Sequence, residues 1–251
     1  MKLTLAAAAN NKQVLQQNLL ASPCVQQGQM DELLIQEGFA SAAKAYNEVL
    51  EKSRNDVVIF AHQDMYFPES WLAELETSLK YLDVHDPNWG VLGCFGVSAD
   101  RKRYGRVYSA GLGVIGTAIE HPTAVRTLDE IVLIVRKPSG LKFDTSLEGF
   151  HFYASDICLR ALARGMNNYA IPAFCVHNTQ LNPTLPADFY ECYKQFKKIW
   201  RDSLPVHTSC ITVSALDIPA RILRLREAYI TYIRRTPVET TRSTDPRSLL
   251  L

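Results

Sequence analysis

No run of about 18 consecutive apolar residues occurs in the 251-residue chain, which argues against a membrane-spanning helix. An excess of one charge is also missing. Twenty-seven Lys and Arg stand against 26 Asp and Glu, a formal net charge of +1, so nothing in the overall balance calls for a polyanionic partner such as nucleic acid. There is no Cys-x-x-Cys pair. The six cysteines (Cys24, Cys94, Cys158, Cys175, Cys192 and Cys210) are scattered, and several lie in apolar segments where cysteine acts as a small hydrophobe. That usage suits a reducing, cytoplasmic compartment. The opening Met1–Ala9 mimics a short signal sequence, but it has little basic charge before it and runs directly into Asn10-Asn11-Lys12, so a first strand is expected there.

What is present is ample apolar material, 47% of residues, for a sizeable core. Residues 2–9 read as a strand, 14–20 as a short helix and 32–35 as a second strand. Ala42, Ala45, Tyr46, Val49 and Leu50 have the 3-4 spacing of an amphipathic helix over 41–52. Val57–Ala61 is a continuous apolar run, the pattern of a strand covered on both faces. Pro68 then opens a helix over 69–82. This βαβαβα order predicts an α/β fold: a mostly parallel, Rossmann-like central sheet with flanking helices, whose ligands bind at the carboxyl ends of the strands.

Beyond residue 90 the regularity breaks. Strands are expected near 90–96, 130–136 and 169–176, a helix over 155–164 closed by Gly165, and a glycine-rich polar stretch over 101–116. Gly111, Gly113 and Gly116 match G-x-G-x-x-G, but no helix follows them, so a phosphate loop is not expected. From about residue 183 the chain turns to helical segments rich in Lys and Arg. Residues 218–235 carry Arg221, Arg224, Arg226, Arg234 and Arg235 around an apolar stripe of Ile222, Leu225, Tyr229 and Ile233. A packed helix with a solvated basic face and a peripheral contact with anionic lipid both fit that pattern. The expected organisation is an α/β domain over 1–182, a helical extension over 183–236 and a disordered tail over 237–251.

Candidate chemistry gathers at strand ends. His62-Gln63-Asp64 follows the third strand, and Asp64 is either a turn or helix-capping acid or a ligand for a hard divalent cation, Mn²⁺ or Mg²⁺, held together with a diphosphate. His177 ends the last strand and is either a packing histidine or a second ligand brought back beside Asp64. Glu148, His151 and Asp156 lie in a loop and at a helix start, where Asp156 can equally serve the helix dipole.

The ordered set "SAAKAYN", "DVVIFAHQD", "PESWL", "GFHFYASDICLRALARG" and "YAIPAFCVHN" resembles the glycosyltransferase A-type fold, and within it the family 2-like inverting transferases that use nucleoside-diphosphate sugars. The resemblance covers about residues 2–180. It implies an enzyme moving a sugar to a hydroxyl-bearing acceptor, saccharide or lipid-linked, in glycan or cell-envelope polysaccharide synthesis. In that family the strand ends in Asp-x-Asp. Here His62 replaces the acid that faces the ribose, while Asp64 keeps the metal-binding place.

The resemblance further implies that Asp156 is the catalytic base, with Glu148 and His151 as substitutes, and that Asp64 and His177 hold the metal. Asn10, Asn11, Gln36 and Glu37 would face the nucleotide, with Lys44 balancing phosphate charge. Separately, the segment Leu128–Leu133 is expected to enter the site from the irregular half, where its acids either bind sugar hydroxyls or simply lie at the surface. The family's Glu-Asp pair is reduced here to Asp156 alone, since Ala154 and Ser155 precede it. A transferase-like binding module without turnover therefore stays open. So does a nucleotidyltransferase, although "AAAANNKQV" lacks the glycine-rich basic loop such enzymes carry after the first strand.

Overall fold

The first and third strands of the chain bury both faces, and this decides the layering of the molecule. In the computed structural model, which describes residues 2–180, 184–230, 232 and 242–250, Leu3, Leu5, Ala7 and Ala9 of β1 (Leu3–Ala9) pack into one apolar cluster and Ala6 into a second on the opposite face. After α1 (Lys12–Gln17), α2 (Pro23–Gln26), β2 (Glu32–Glu37) and α3 (Ala42–Lys52), the same division recurs. In β3 (Val57–Ala61), Val57, Ile59 and Ala61 face one cluster while Val58 and Phe60 face the other. A period of two on a doubly covered sheet accounts for the uninterrupted apolar run.

Next come β4 (Met65–Tyr66), α4 (Trp71–His85), β5 (Val91–Gly93), β6 (Gly96–Val97), β7 (Arg103–Tyr104), β8 (Val107–Ser109) and β9 (Gly113–Ile115). They are followed by β10 (Thr123–Val125), β11 (Thr127–Leu128), β12 (Val132–Arg136), α5 (Tyr153–Ala163), β13 (Asn168–Ala170) and β14 (Cys175–His177). The main sheet has seven strands in the order β10-β13-β5-β12-β3-β1-β2. β2, β1, β3, β5 and β13 run the same way, while β12 and β10 run against them. This is the mixed α/β sheet, parallel in the main, that the element order predicts.

One expectation fails in an informative way. The strand expected over 169–176 is two strands: β13 stays in the main sheet, whereas β14 leaves it for a four-stranded sheet of order β4-β14-β8-β9. Ile171-Pro172 divides them, and a proline cannot donate to a ladder. The switch sets His177 opposite Met65 in antiparallel register, beside Asp64. The glycine-rich stretch forms β7 and the β8–β9 hairpin, not a phosphate loop. Gly116 there has φ of +87°, and a Cβ on it would lie 2.0 Å from the Gly105 carbonyl oxygen, so only glycine fits.

The segment from 184 on is not wholly helical. α6 (Ala187–Ile199) is followed by a small hairpin, β15 (Val206–His207) with β16 (Thr212–Val213), and then by α7 (Ile218–Tyr229). Phe189, Tyr190, Cys192, Tyr193 and Phe196 of α6 join the same apolar cluster as α3 and α5, so this segment shares the main core. The expected continuation of the last helix through Ile233, Arg234 and Arg235 lies outside the described residues, as do residues 237–241 of the expected tail. Residues 242–250, expected within that tail, are packed beside β4, with Asn178 and Ser243 bonded through both backbone and amide groups.

Candidate active site

Two strand ends converge on one point. The amide of His62, just past β3, donates to the Ile131 carbonyl (3.0 Å), and the amide of Asn178, just past β14, donates to the Asp64 carbonyl (2.9 Å). Gln63 ties in the end of β1: its carbonyl oxygen accepts from the amides of Asn10 (3.1 Å) and Asn11 (3.0 Å), and its amide donates to Asn10 Oδ1 (2.7 Å). The turn His62-Gln63-Asp64 is thereby pinned from three directions.

Within it, one ring nitrogen each from His62 and His177 and one carboxylate oxygen of Asp64 lie within 4.8 Å of one another. His177 Nε2 is 3.4 Å from Asp64 Oδ1. The other oxygen, Oδ2, accepts from Arg242 Nη2 at 3.0 Å, while Arg242 Nε donates to the Asn178 carbonyl. Burial alone would raise the Asp64 carboxyl, but the facing His177, with His62 and Arg242, outweighs it and holds the group well below the usual carboxylate range. Burial pushes His62 down, toward the neutral imidazole that can ligate a cation.

These residues fit a divalent cation as a donor set. One hard oxygen with two imidazole nitrogens suits Mn²⁺ better than Mg²⁺, which prefers oxygen throughout. Support for the ligands is also in place, because the Tyr153 hydroxyl lies 3.0 Å from His62 Nε2 and donates to the Glu130 carbonyl at 3.0 Å. One tyrosine therefore links the cation cluster to the loop that carries Glu130.

Two cavities meet here and share His62 and His151. One, of about 370 Å³, is lined by Ala8, Ala9, Asn10, Gln36, Phe39, Tyr46, Gln63, Asp64 and Tyr153 among others. The other, of about 430 Å³, lies toward β8, the Asp129-Glu130 loop and α6, with Glu130, His177, Leu185, Phe189, Thr208 and Cys210 in its wall. His151 stands between two acids, Nδ1 3.8 Å from Glu130 Oε2 and Nε2 3.8 Å from Asp188 Oδ1. Phe152 makes this placement. Its backbone takes φ of +66°, rare for a non-glycine residue, and its ring is held against Phe189 and Phe196. The kink points His151 into the cavities just before α5 begins. Burial raises the Glu130 carboxyl although His151 opposes it, and the two acids raise His151 although burial opposes them.

Asp64, His177, His62, Asn10, Gln36 and His151 are thus brought together. Other expected residues are not. Asp156, expected as the base, is buried, and both oxygens are taken, Oδ2 by Arg160 Nε (2.7 Å) and Oδ1 by Trp200 Nε1 (2.8 Å). It lines neither cavity. As the fourth residue of α5 it faces Arg160 one turn on, which is a structural pairing. Asp156→Ala is expected to lower stability by about 2 kcal/mol in urea unfolding, since it leaves the Trp200 N–H without an acceptor and removes one of the two carboxylates paired with Arg160, Asp144 remaining as the other.

Glu148 is exposed, with its backbone bonded to Gln195 and Cys192, and its side chain lines neither cavity. Lys44 is exposed on α3, Glu37 pairs with Lys12 at the surface, and Asn11 spends its side chain capping α1 at the Val14 amide. Tyr153 and Arg242 were not anticipated. Tyr153 reads as one more apolar position of an amphipathic helix, and Arg242 is 178 residues from Asp64.

A sequence profile described as "Glycosyltransferase like family" matches residues 7–199. Over 132 residues the chain is 30% identical to the "ATP synthase subunits region ORF 6" protein of Fuscovulum blasticum, an alignment spanning 50% of this chain and 53% of that protein. Among solved structures, that of GalNAc-T7 with UDP, GalNAc and Mn²⁺ superposes with a TM-score of 0.51 at 8% identity, covering 70% of this chain and 44% of the other. The mannosyltransferase PcManGT from Pyrobaculum calidifontis, in complex with GDP-Man and Mn²⁺, gives 0.49 at 12% identity, covering 92% and 70%. The likeness to GalNAc-T7 is one of fold, over less than half of that chain's length.

Proposed function

Because the chain belongs to the glycosyltransferase-like family, we propose that it moves a sugar from a nucleoside diphosphate to an acceptor hydroxyl with inversion at the sugar carbon. The observation that carries this reading is the junction of two cavities at the His62–Asp64–His177 cluster. The cavity at the ends of β1 and β2 offers amides at Asn10 and Gln36 and rings at Phe39 and Tyr46, groups suited to a nucleobase and ribose. The cavity beyond His151 takes the acceptor, saccharide or lipid-linked.

A divalent cation on Asp64, His177 and His62 would supply positive charge to the departing diphosphate. Glu130 replaces Asp156 as base: it takes the acceptor proton as the hydroxyl oxygen bonds to the anomeric carbon and the carbon–diphosphate bond breaks. Asp129, its neighbour, is occupied by the Ile131 amide at 3.1 Å. His151 positions the Glu130 carboxylate. All six cysteines are unpaired. Among the described residues no helix is long and apolar enough to cross a membrane.

Incubation with UDP-, GDP- and dTDP-sugars in Mn²⁺, with detection of released nucleoside diphosphate, tests the reading. Slow hydrolysis of one donor, suppressed by chelation, is the expected result. Donor binding without release from any sugar nucleotide would leave a binding module, and release of pyrophosphate from a nucleoside triphosphate and sugar phosphate would identify a nucleotidyltransferase.

A further inference from the structure

The outer face of α7 carries a row of large apolar side chains that the fold leaves in solvent. Ile218, Ile222, Leu225 and Tyr229 are 53%, 62%, 72% and 55% exposed. At 3.6 residues per turn they fall within an arc of roughly 60°. Arg221 and Arg226 border that arc on either side. The opposite face is already used: Ala220 and Leu223 pack on the core, and Glu227 accepts from the Leu185 amide (2.7 Å) and the Tyr190 hydroxyl (2.6 Å). Arg224 is drawn over the Tyr190 ring, 4.2 Å from its centroid. The acids of this segment are likewise engaged, Glu227 inward and Asp217 with Lys197 (2.7 Å) and Tyr193 (2.8 Å). The exposed arc therefore presents apolar groups and cations only.

We propose that α7 lies in the plane of an anionic lipid surface, with its apolar row inserted among the acyl chains and Arg221 and Arg226 at the headgroups. An in-plane amphipathic helix with arginines at the borders of its apolar face has the charge and shape for that partner. A twelve-residue helix is too short to span a bilayer.

The placement also relates to the site. A groove of about 460 Å³ along α7, lined by Ile218, Ile222 and Arg226, shares Thr208 and Cys210 with the larger site cavity. Docking through α7 would hold that cavity's mouth close to the lipid. This last step rests on the assignment of that cavity to the acceptor, whereas the lipid contact does not.

The test is co-sedimentation of the full chain with vesicles of phosphatidylcholine alone and of phosphatidylcholine mixed with phosphatidylglycerol. Binding to the mixed vesicles is expected, with weak binding to the neutral ones. The I222E/L225E variant should bind roughly tenfold or more weakly, and R221E/R226E should lose the preference for anionic lipid. All three proteins should show the same far-UV circular dichroism and the same urea unfolding midpoint, which shows that they are folded. No binding to the anionic vesicles, or equal binding by I222E/L225E, overturns the proposal. So does concentration-dependent dimerisation that I222E/L225E abolishes, because the face would then belong to a second copy. Vesicle binding by a protein that transfers no sugar would uphold this inference and overturn the proposed function instead.

Discussion

Asp64→Asn is expected to lower Mn²⁺-dependent donor turnover by on the order of a thousandfold, the effect of withdrawing several kcal/mol of charge stabilisation from a departing diphosphate. The residue keeps its size and its backbone carbonyl keeps the Asn178 amide, so the fold should survive. What goes is the one anionic ligand in a cluster whose other members are imidazoles. Electron paramagnetic resonance of Mn²⁺ titrated into the protein reads the loss directly and separates it from any effect on chemistry.

The paired variant Arg242→Ala sharpens the test, because Arg242 holds Asp64 Oδ2 at 3.0 Å and competes with any cation that needs that oxygen. It should tighten Mn²⁺ binding in the absence of nucleotide while Asp64→Asn weakens it. The pH dependence has a definite sign. Asp64 is held below its ordinary range, so its charge stabilises the fold above that range and the contribution disappears as pH falls through the depressed value. Asp64→Asn removes this acid-side loss. Unchanged Mn²⁺ affinity in Asp64→Asn would remove the cation from the site.

How much of this could be read in advance follows from the range of the interactions involved. The layering was legible because burial on a doubly covered sheet leaves a local, periodic trace: Val57–Ala61 and the spacing of Ala42, Ala45, Tyr46 and Val49 are short-range signals. Asp64 was legible for the same reason, since it sits at a strand end in a recognisable motif. His177 was reached by topology, although through a different route, a second sheet that Pro172 helps to separate from the first. The surroundings of Asp156 were not legible, because an acid in the first turn of a helix gives the same local signal whether it faces a cavity or a neighbouring arginine. The indole N–H that takes one of its oxygens belongs to Trp200, 44 residues on. Arg242 left no local trace at all. Polar segments near a chain end resemble a solvated tail unless the partner they meet is known, and here the partner is fixed only by the folded β3–β4 turn.

Glu130→Gln is the variant that decides where the base resides. It is expected to reduce turnover by roughly 10²–10⁴-fold, the range for loss of a general base, while affinity for the donor nucleotide and Mn²⁺ stays within a few-fold. Burial raises the Glu130 carboxyl above the ordinary glutamate range, so the ionised fraction, and with it the rate, should climb with pH through that raised value. An exposed glutamate would complete the same climb at lower pH. His151, 3.8 Å away, favours the ionised carboxylate, so His151→Gln should move the acid limb of the rate profile to still higher pH without removing activity. A purely structural imidazole would lower activity evenly across pH. Asp156→Asn serves as the counter-test: its carboxylate is spent on Arg160 and Trp200, so the surviving fold should retain turnover with an unshifted profile. Should Glu130→Gln turn over normally while Asp156→Asn is silent, the acceptor proton leaves by the helix α5 acid after all, and α5 must then move to expose it.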